Sequence, residues 1–123
     1  MTCTKQNIRP IIHTIGSQEN ASPEERFQNE VLRPILKMQH ELIISYFNNY
    51  LIRMKLDFNL LTGFKKKEII SSTFSKNNQF KTELRGMIIG QLTVDEYQKY
   101  LPIASSLNKR ISNMLQERII STF

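Results

Sequence analysis

The fold of this chain is decided by residues 22–54, SPEERFQNEVLRPILKMQHELIISYFNNYLIRM. Ser22 stands directly before Pro23 and three residues before Glu25. A serine cap, a proline that needs no N–H partner and a glutamate that can bond back to the cap form the pattern of a helix start. Beyond it, apolar side chains recur at three- and four-residue steps, the period of one helical face. The stretch therefore predicts an amphipathic helix near residues 23–55.

This predicted helix is long, and its apolar face is wider than a single neighbouring helix would cover. Its residues, about 30 at 1.5 Å each, would span about 45 Å. Pro34 lies inside it, where the missing N–H and the crowding of the Glu30 carbonyl predict a bend. We therefore expect this helix to be the central one. Two apolar rows run along it, Phe27, Val31, Ile35, Met38, Leu42 and Tyr46 beside Leu32, Leu36, Ile43, Phe47, Tyr50 and Met54, opposite a polar side of Glu41, Ser45, Asn48, Asn49 and Arg53.

Four shorter helices are predicted after it, because capping residues and apolar stripes follow one another along the chain. Phe58 and Phe64 are expected in the core, since short helices bury their few aromatic side chains. In chain order the signals are Thr62 before a helix from about Gly63 to Ser75, Asn77 or Asn78 before one that Gly90 ends, and Thr93-Val94-Asp95-Glu96 before one that Leu101-Pro102 closes. A last helix is predicted from about Ile103, with an apolar row of Ile103, Leu107, Ile111, Met114 or Leu115, and Ile119.

The predicted fold is all-α, a compact bundle of about five helices around one long N-terminal helix. Residues 1–21 lack helical periodicity and predict an extended or flexible N-terminal arm. Residues 22–123 predict a single helical domain, because a second core would be too small to fold alone at this length. We expect the arm to dock on the domain through its apolar patch, which comprises Ile8, Ile11, Ile12 and Ile15.

The composition predicts a globular protein of a reducing compartment. Hydrophobic residues make up 40% and charged residues 23% of the chain, which is typical of a folded domain. Cys3 is the only cysteine, so no intramolecular disulfide can form. No apolar run approaches the roughly 18 residues that a membrane span needs, and the first residues lack the apolar core of a signal peptide. We therefore expect a cytoplasmic location and no membrane partner.

The positive charge is concentrated in the second half of the chain. Residues 1–52 contain equal numbers of acidic and basic side chains, so residues 53–123 carry the whole net charge of +6. Such a half can attract nucleic acid or another anionic surface, and it can equally be a solvated face. Three aromatic residues, Tyr50 beside its most basic segment, residues 53–85, and Phe58 and Phe64 within it, could stack on bases if they were exposed. The residues predicted for contact with an anion or nucleic acid are Arg53, Lys55, Lys65, Lys66, Lys67, Lys81 and Arg85.

Few side chains of this sequence are suited to catalysis or metal binding. The spacing of Cys3, His13 and His40 does not fit a zinc site. His40 borders the apolar face and Glu41 points about 100° away around the helix, so a satisfied, half-buried histidine is expected rather than a general base. The chain contains no phosphate-loop, dinucleotide-binding, zinc-protease or nucleophile-elbow motif. We predict no catalytic residue, no metal and no cofactor.

Gly86-Met87-Ile88-Ile89-Gly90 places two small residues four positions apart on a predicted helix. Glycine inside a helix is unfavourable by about 1 kcal/mol relative to alanine, so Gly86 needs an explanation. We predict that another helix crosses closely at Gly86 and Gly90, and we favour a crossing within the core over a dimer contact. Gly90 also serves as a C-terminal cap.

Three parts of the sequence carry a family resemblance: Arg26-Phe27-Gln28-Asn29 with Leu32-Arg33-Pro34-Ile35-Leu36-Lys37, Leu84-Arg85-Gly86-Met87-Ile88-Ile89-Gly90-Gln91 with Thr93-Val94-Asp95-Glu96-Tyr97, and Ser106-Leu107-Asn108-Lys109-Arg110. Together they resemble a family of small, uncharacterised, helical bacterial proteins that sometimes carry a glyoxalase label. Glyoxalase I enzymes have paired β-α-β-β-β modules with His and Glu metal ligands on strands, whereas the periodicity here is helical. The label therefore assigns no residue of this chain a role.

These observations favour a non-enzymatic binding or assembly protein that acts through helix surfaces, with a protein partner or self-association. The wide apolar face of the first helix supports this interpretation, since shorter helices would not cover all of it. The alternative is a nucleic-acid-binding or regulatory protein that uses residues 53–85. A small enzyme of the glyoxalase label is a remote third hypothesis, because the sequence has no ligand cluster.

Overall fold

A computed structural model describes residues 8–10 and 21–123 of the chain. Every regular element in these residues is helical, which confirms the all-α prediction. None of these helices is both long enough and apolar enough to cross a membrane. The elements are α1 (Pro23–Phe27), a π-helical turn (Gln28–Leu32), α2 (Arg33–Met38), α3 (His40–Arg53), a 3-10 turn (Phe58–Leu60), α4 (Gly63–Lys76), α5 (Asn78–Ile89), α6 (Val94–Tyr100), a second 3-10 turn (Leu101–Ile103) and α7 (Ala104–Thr122).

The prediction of a single long N-terminal helix is wrong in detail, because two interruptions divide the helical stretch from Pro23 to Arg53. Pro34 has no N–H for α-helical bonding, and the π-helical turn with wider hydrogen bonds lies directly before it. The second division is at Gln39, whose φ of −92° and ψ of 9° leave the helical range. Gln39 is neither glycine nor proline, and no sequence signal marks this break.

The central helix is α7 rather than the N-terminal stretch. Its 19 residues form the longest uninterrupted helix of the described chain, and it packs against α3, α4, α5 and the π-helical turn. One row of its side chains is wholly buried at four-residue steps, as the sequence predicted: Leu107, Ile111, Leu115 and Ile119. Because α7 contacts neighbours on several sides, it stabilises the bundle more directly than the longer but divided N-terminal stretch does.

Of the two apolar rows on the N-terminal stretch, the second forms most of the core. Leu32, Leu36, Ile43 and Phe47 are fully buried, whereas Leu42 in the first row is 49% exposed. The Phe47 ring contacts the rings of Tyr50, Phe58, Phe80 and Phe123, with centroids 5.3 to 6.1 Å apart. The polar side predicted for this stretch is exposed at all five positions.

The helix starts are confirmed where local sequence predicts them. A cap side chain accepts a hydrogen bond from a backbone N–H of the first turn in each case, which satisfies a donor that has no partner inside the helix. These bonds run to Ser22 from Glu25 (3.1 Å), to Thr62 from Lys65 (3.2 Å), to Asn77 from Phe80 (3.0 Å) and to Thr93 from Glu96 (3.1 Å). Gly90 caps the C-terminus of α5.

Candidate interaction surfaces

The segment from the end of α3 to the start of α4 carries three of the four most exposed large apolar side chains of the described chain. Ile52 is 74%, Leu60 82% and Phe64 78% exposed, and Met54 and Leu56 are partly exposed beside them. We call the exposed side chains of residues 52–67 the α3–α4 surface.

Backbone geometry explains why this connection turns its side chains outward. Lys55 takes the left-handed conformation, with φ of 57°, which commonly ends a helix and more often falls on glycine. The N–H of Leu56 then donates to the carbonyl of Leu51 at 2.9 Å and closes α3. Phe58 turns inward, where it is 6% exposed, and Leu61 packs partly buried against the core. Met54, Leu56 and Leu60 remain exposed between α3 and α4.

The structure confirms that Phe58 is in the core and shows that the prediction for Phe64 is wrong. Ile70 and Phe74 mark the buried face of α4. Phe64 lies six residues before Ile70, and six residues turn an α-helix by about 240°, which places Phe64 on the outer side. The period of the helix could have revealed this from the sequence.

Five of the seven predicted anion-contact residues lie within residues 52–67. Four of them are exposed and Lys66 is half-buried. Lys65 forms an ion pair with Glu68 at 3.7 Å, with both side chains more than half exposed, so the pair contributes little to stability. Lys81 and Arg85 are half-buried on α5 instead. The five are Arg53, Lys55, Lys65, Lys66 and Lys67.

The prediction of a close helix contact at Gly86 and Gly90 is wrong for the described residues. Gly86 is exposed, and nothing in the described chain lies within 4 Å of a Cβ built on it. A Cβ on Gly90 would meet the carbonyl oxygen of Gly86 at 3.1 Å, which belongs to the same helical segment and not to a crossing helix. Because the buried stripe of α5 runs through Phe80, Leu84 and Ile88, Gly86 falls on its outer side.

A polar cluster joins α3 to α5 at the edge of a small pocket of about 140 Å³. Tyr46 donates a short hydrogen bond to Glu83, which also accepts one from Gln79 at 3.2 Å. Burial and the bond to Glu83 raise the pKa of Tyr46 to about 12. The same bond lowers the pKa of Glu83, and Arg53 contributes to that lowering through its charge.

Arg9, in the segment predicted to be an arm, forms an ion pair with the helical domain. Ile8 is 61% exposed, while the side chains of Arg9 and Glu96 are 7% and 9% exposed and form an ion pair at 2.7 Å. Ile11, Ile12 and Ile15 lie outside the described residues. Sequence reasoning missed Arg9, and no local pattern could have found a partner so distant along the chain.

Three arginines line the seam between residues 28–40 and α7. Arg110 donates to the Gln28 side chain at 2.8 Å and Arg118 lies 3.2 Å from the His40 ring nitrogen Nδ1. Arg33 donates to Asn29 at 2.9 Å. His40 is half-buried and hydrogen-bonded, as predicted. Sequence reasoning did not single out these arginines, because the contacts join helices far apart in the chain.

No group of three or more His, Cys, Asp or Glu side chains in the described chain could hold a metal ion. Cys3 and His13 lie outside the described residues. Comparisons with protein-family models, with curated proteins and with solved structures found no match. The assignment of a function therefore depends on the surfaces described above.

Proposed function

We propose that this chain is a non-enzymatic binding or assembly protein whose α3–α4 surface binds an acidic, apolar segment of a protein partner. The exposure of Ile52, Leu60 and Phe64 within 13 consecutive residues, 52–64, is the observation that carries the proposal. Single exposed apolar side chains are ordinary, whereas large ones that form one patch are typical of an interaction site, and the proposal takes these three to form one patch. Burying each of them in an interface would contribute about 1.5–3 kcal/mol.

The charges around this group favour an acidic partner. Arg53, Lys55 and Lys67 are exposed beside the apolar side chains, and complementary charge speeds association and disfavours basic partners. A second copy of this chain would bring like charges together if it bound through the same surface. Self-association through this surface is therefore less favourable than the binding of an acidic partner.

Nucleic-acid binding through the same segment is the second candidate. The exposed Phe64 ring next to three lysines is the observation that favours it, because aromatic stacking and phosphate contacts together bind single strands. The aliphatic side chains of Ile52 and Leu60 would have no role in such a complex. The protein-binding proposal uses both groups of side chains, and we therefore prefer it.

Affinity purification of the tagged protein at low and high salt, with protein and nucleic acid both identified, tests the proposal. Leu60→Glu should abolish capture of the partner, because it places a charge at the centre of the apolar group. Val94→Glu is the matched control, since Val94 is an apolar residue of similar exposure on α6. Capture that is the same for both variants would contradict the proposal.

A second set of variants separates the two candidates. If nucleic acid is the partner, its affinity should fall with salt by a slope of about −0.9 per phosphate contacted on duplex DNA, and Lys65→Glu, Lys66→Glu and Lys67→Glu together should flatten that slope. We expect only weak nucleic-acid binding that disappears near physiological ionic strength. Sequence-selective binding that survives there would favour the second candidate.

A further inference from the structure

A pocket of about 540 Å³ lies where the first helical stretch meets α6. Residues of α1 and the π-helical turn line one part of it, and residues of α6 and the second 3-10 turn line the rest. Its volume is within the range of about 300–1,000 Å³ that is typical of small-molecule sites. The pocket shares no residue with the α3–α4 surface and does not depend on the function proposed for that surface.

The apolar part of the pocket includes an unusual element of secondary structure. Phe27 is the last residue of α1, and Val31 lies in the π-helical turn that follows. Single π-helical turns inside α-helices are rare and are frequently found at functional sites. Ile103 adds a third apolar side chain from the second 3-10 turn. Val31 and Ile103 are half-buried, so an apolar ligand group would remove further apolar surface from water.

Two charged side chains of opposite sign also line the pocket. Glu30 lies in the π-helical turn and Lys99 in the last turn of α6. Both are exposed, and neither takes part in an ion pair or a side-chain hydrogen bond in the described chain. The third charged residue of the lining, Glu96, is neutralised by Arg9. The pocket therefore offers one negative and one positive charge to a ligand.

We propose that this pocket binds a small zwitterion with an apolar body, which is the chemistry of an apolar amino acid or a short apolar peptide. The ammonium group of the ligand lies next to Glu30 and its carboxylate next to Lys99. The apolar body covers Phe27, Val31 and Ile103. A ligand with a single charge would leave one of the two side chains without a counter-charge, so electrostatic complementarity favours the zwitterion.

Methyl-detected NMR titration of the full chain with L-phenylalanine tests the site. The methyl signals of Val31 and Ile103 should shift, because both side chains line the pocket. Those of Leu60, an exposed apolar residue outside the pocket, should not. The analogues 3-phenylpropionate, which lacks the ammonium group, and 2-phenylethylamine, which lacks the carboxylate, should each bind at least about threefold more weakly.

Two variants assign the charges of the ligand to the pocket. Glu30→Gln should weaken the binding of L-phenylalanine and 2-phenylethylamine by about three- to tenfold and leave that of 3-phenylpropionate unchanged. Lys99→Gln should weaken the binding of L-phenylalanine and 3-phenylpropionate to the same extent and leave that of 2-phenylethylamine unchanged. Both side chains are exposed, so both variants should fold. Glu41→Gln and Lys109→Gln are the charge-matched controls, since both residues are exposed outside the pocket, and each should change the affinity by less than about twofold.

The dipeptide leucyl-phenylalanine distinguishes the two sources of the zwitterion. Tighter binding than L-phenylalanine, with the same losses in both variants, assigns the pocket to a short peptide, and binding that is no tighter assigns it to a free amino acid. Absence of shifts at Val31 and Ile103 with about 10 mM L-phenylalanine would overturn the proposal. Equal binding of L-phenylalanine and its two analogues, or equal losses in the pocket variants and their controls, would also overturn it.

Discussion

Arg9 and Glu96 are 87 positions apart in the sequence, and two guanidinium nitrogens of Arg9 lie 2.7 and 2.9 Å from the two carboxylate oxygens of Glu96. Arg9 also donates to the carbonyl of Gln91 at 2.6 Å. Glu96 accepts the backbone N–H of Thr93 at 2.9 Å and completes the capping box of α6. One carboxylate therefore binds both the Arg9 side chain and the first turn of α6.

Glu96→Gln should destabilise the protein by about 3–5 kcal/mol, because it leaves the charge of Arg9 buried without its counter-ion. The measurement is chemical denaturation followed by circular dichroism. Asp95→Asn is the matched control, since Asp95 lies in the same helical turn and is exposed. The loss of the Asp95 charge should lower the free energy of unfolding by at most about 1 kcal/mol, because that charge interacts with the helix dipole. Equal effects of the two changes would contradict a structural role for the ion pair.

Gly86→Ala should stabilise the protein by about 0.5–1 kcal/mol, because a methyl group there meets nothing in the described chain and restricts the unfolded chain. Gly90→Ala should gain less, since its Cβ would meet the carbonyl oxygen of Gly86 at 3.1 Å. Thermal unfolding of the two variants compares them directly. Destabilisation by Gly86→Ala would contradict this account and support the close helix crossing that the sequence predicted.

Tyr46 should lose its proton near pH 12, because burial and the hydrogen bond to Glu83 raise its pKa from 10.0 to about 12. Ultraviolet titration measures this, and Tyr46→Phe identifies the absorbance step. Glu83→Gln should lower the value only in part, since burial remains. A Tyr46 step near pH 10 would contradict the geometry of this cluster.

The same raised pKa predicts how the stability contributed by Tyr46 depends on pH. The unfolded chain loses this proton at lower pH than the folded protein does. The contribution is therefore complete below about pH 10 and is lost as the pH rises to about 12. Denaturation curves of the wild type and Tyr46→Phe across this range should converge with rising pH.

Phe58→Ala should destabilise the protein by about 3–5 kcal/mol, because it empties a core site where the ring contacts Phe47 and Phe123. Phe64→Ala should change stability by less than about 0.5 kcal/mol, because its side chain is 78% exposed. The two variants remove the same side chain from nearby positions, so denaturation of both compares a buried ring with an exposed one. A large loss from Phe64→Ala would place that ring in the core.

The features that the sequence predicts well are those that depend on neighbouring residues. The capping box of Thr93 and the buried row of α7 follow from spacings of three and four residues, and both are confirmed. The break at Gln39 and the exposure of the α3–α4 surface depend on how helices pack, which a local pattern does not record. Phe64 is the exception, since its helical phase relative to Ile70 was readable.

The interaction surfaces show the same difference between features that are local in the sequence and features that depend on helix packing. The basic character of residues 53–67 is visible in the sequence, and five of the predicted contact residues lie together there. The pairs that define the seam, Arg110 with Gln28 and Arg118 with His40, are 82 and 78 positions apart. Only the folded chain brings them together, so composition and spacing gave no indication of them.

Site-specific photo-crosslinking in the native cell tests most directly whether the α3–α4 surface is the binding surface. A benzophenone amino acid replaces Leu60 in one variant and Val94 in the other, at positions that are 82% and 74% exposed. The proposed function predicts a discrete protein adduct from position 60 that is absent from position 94. An adduct from position 94 alone, or none from either position, would contradict it.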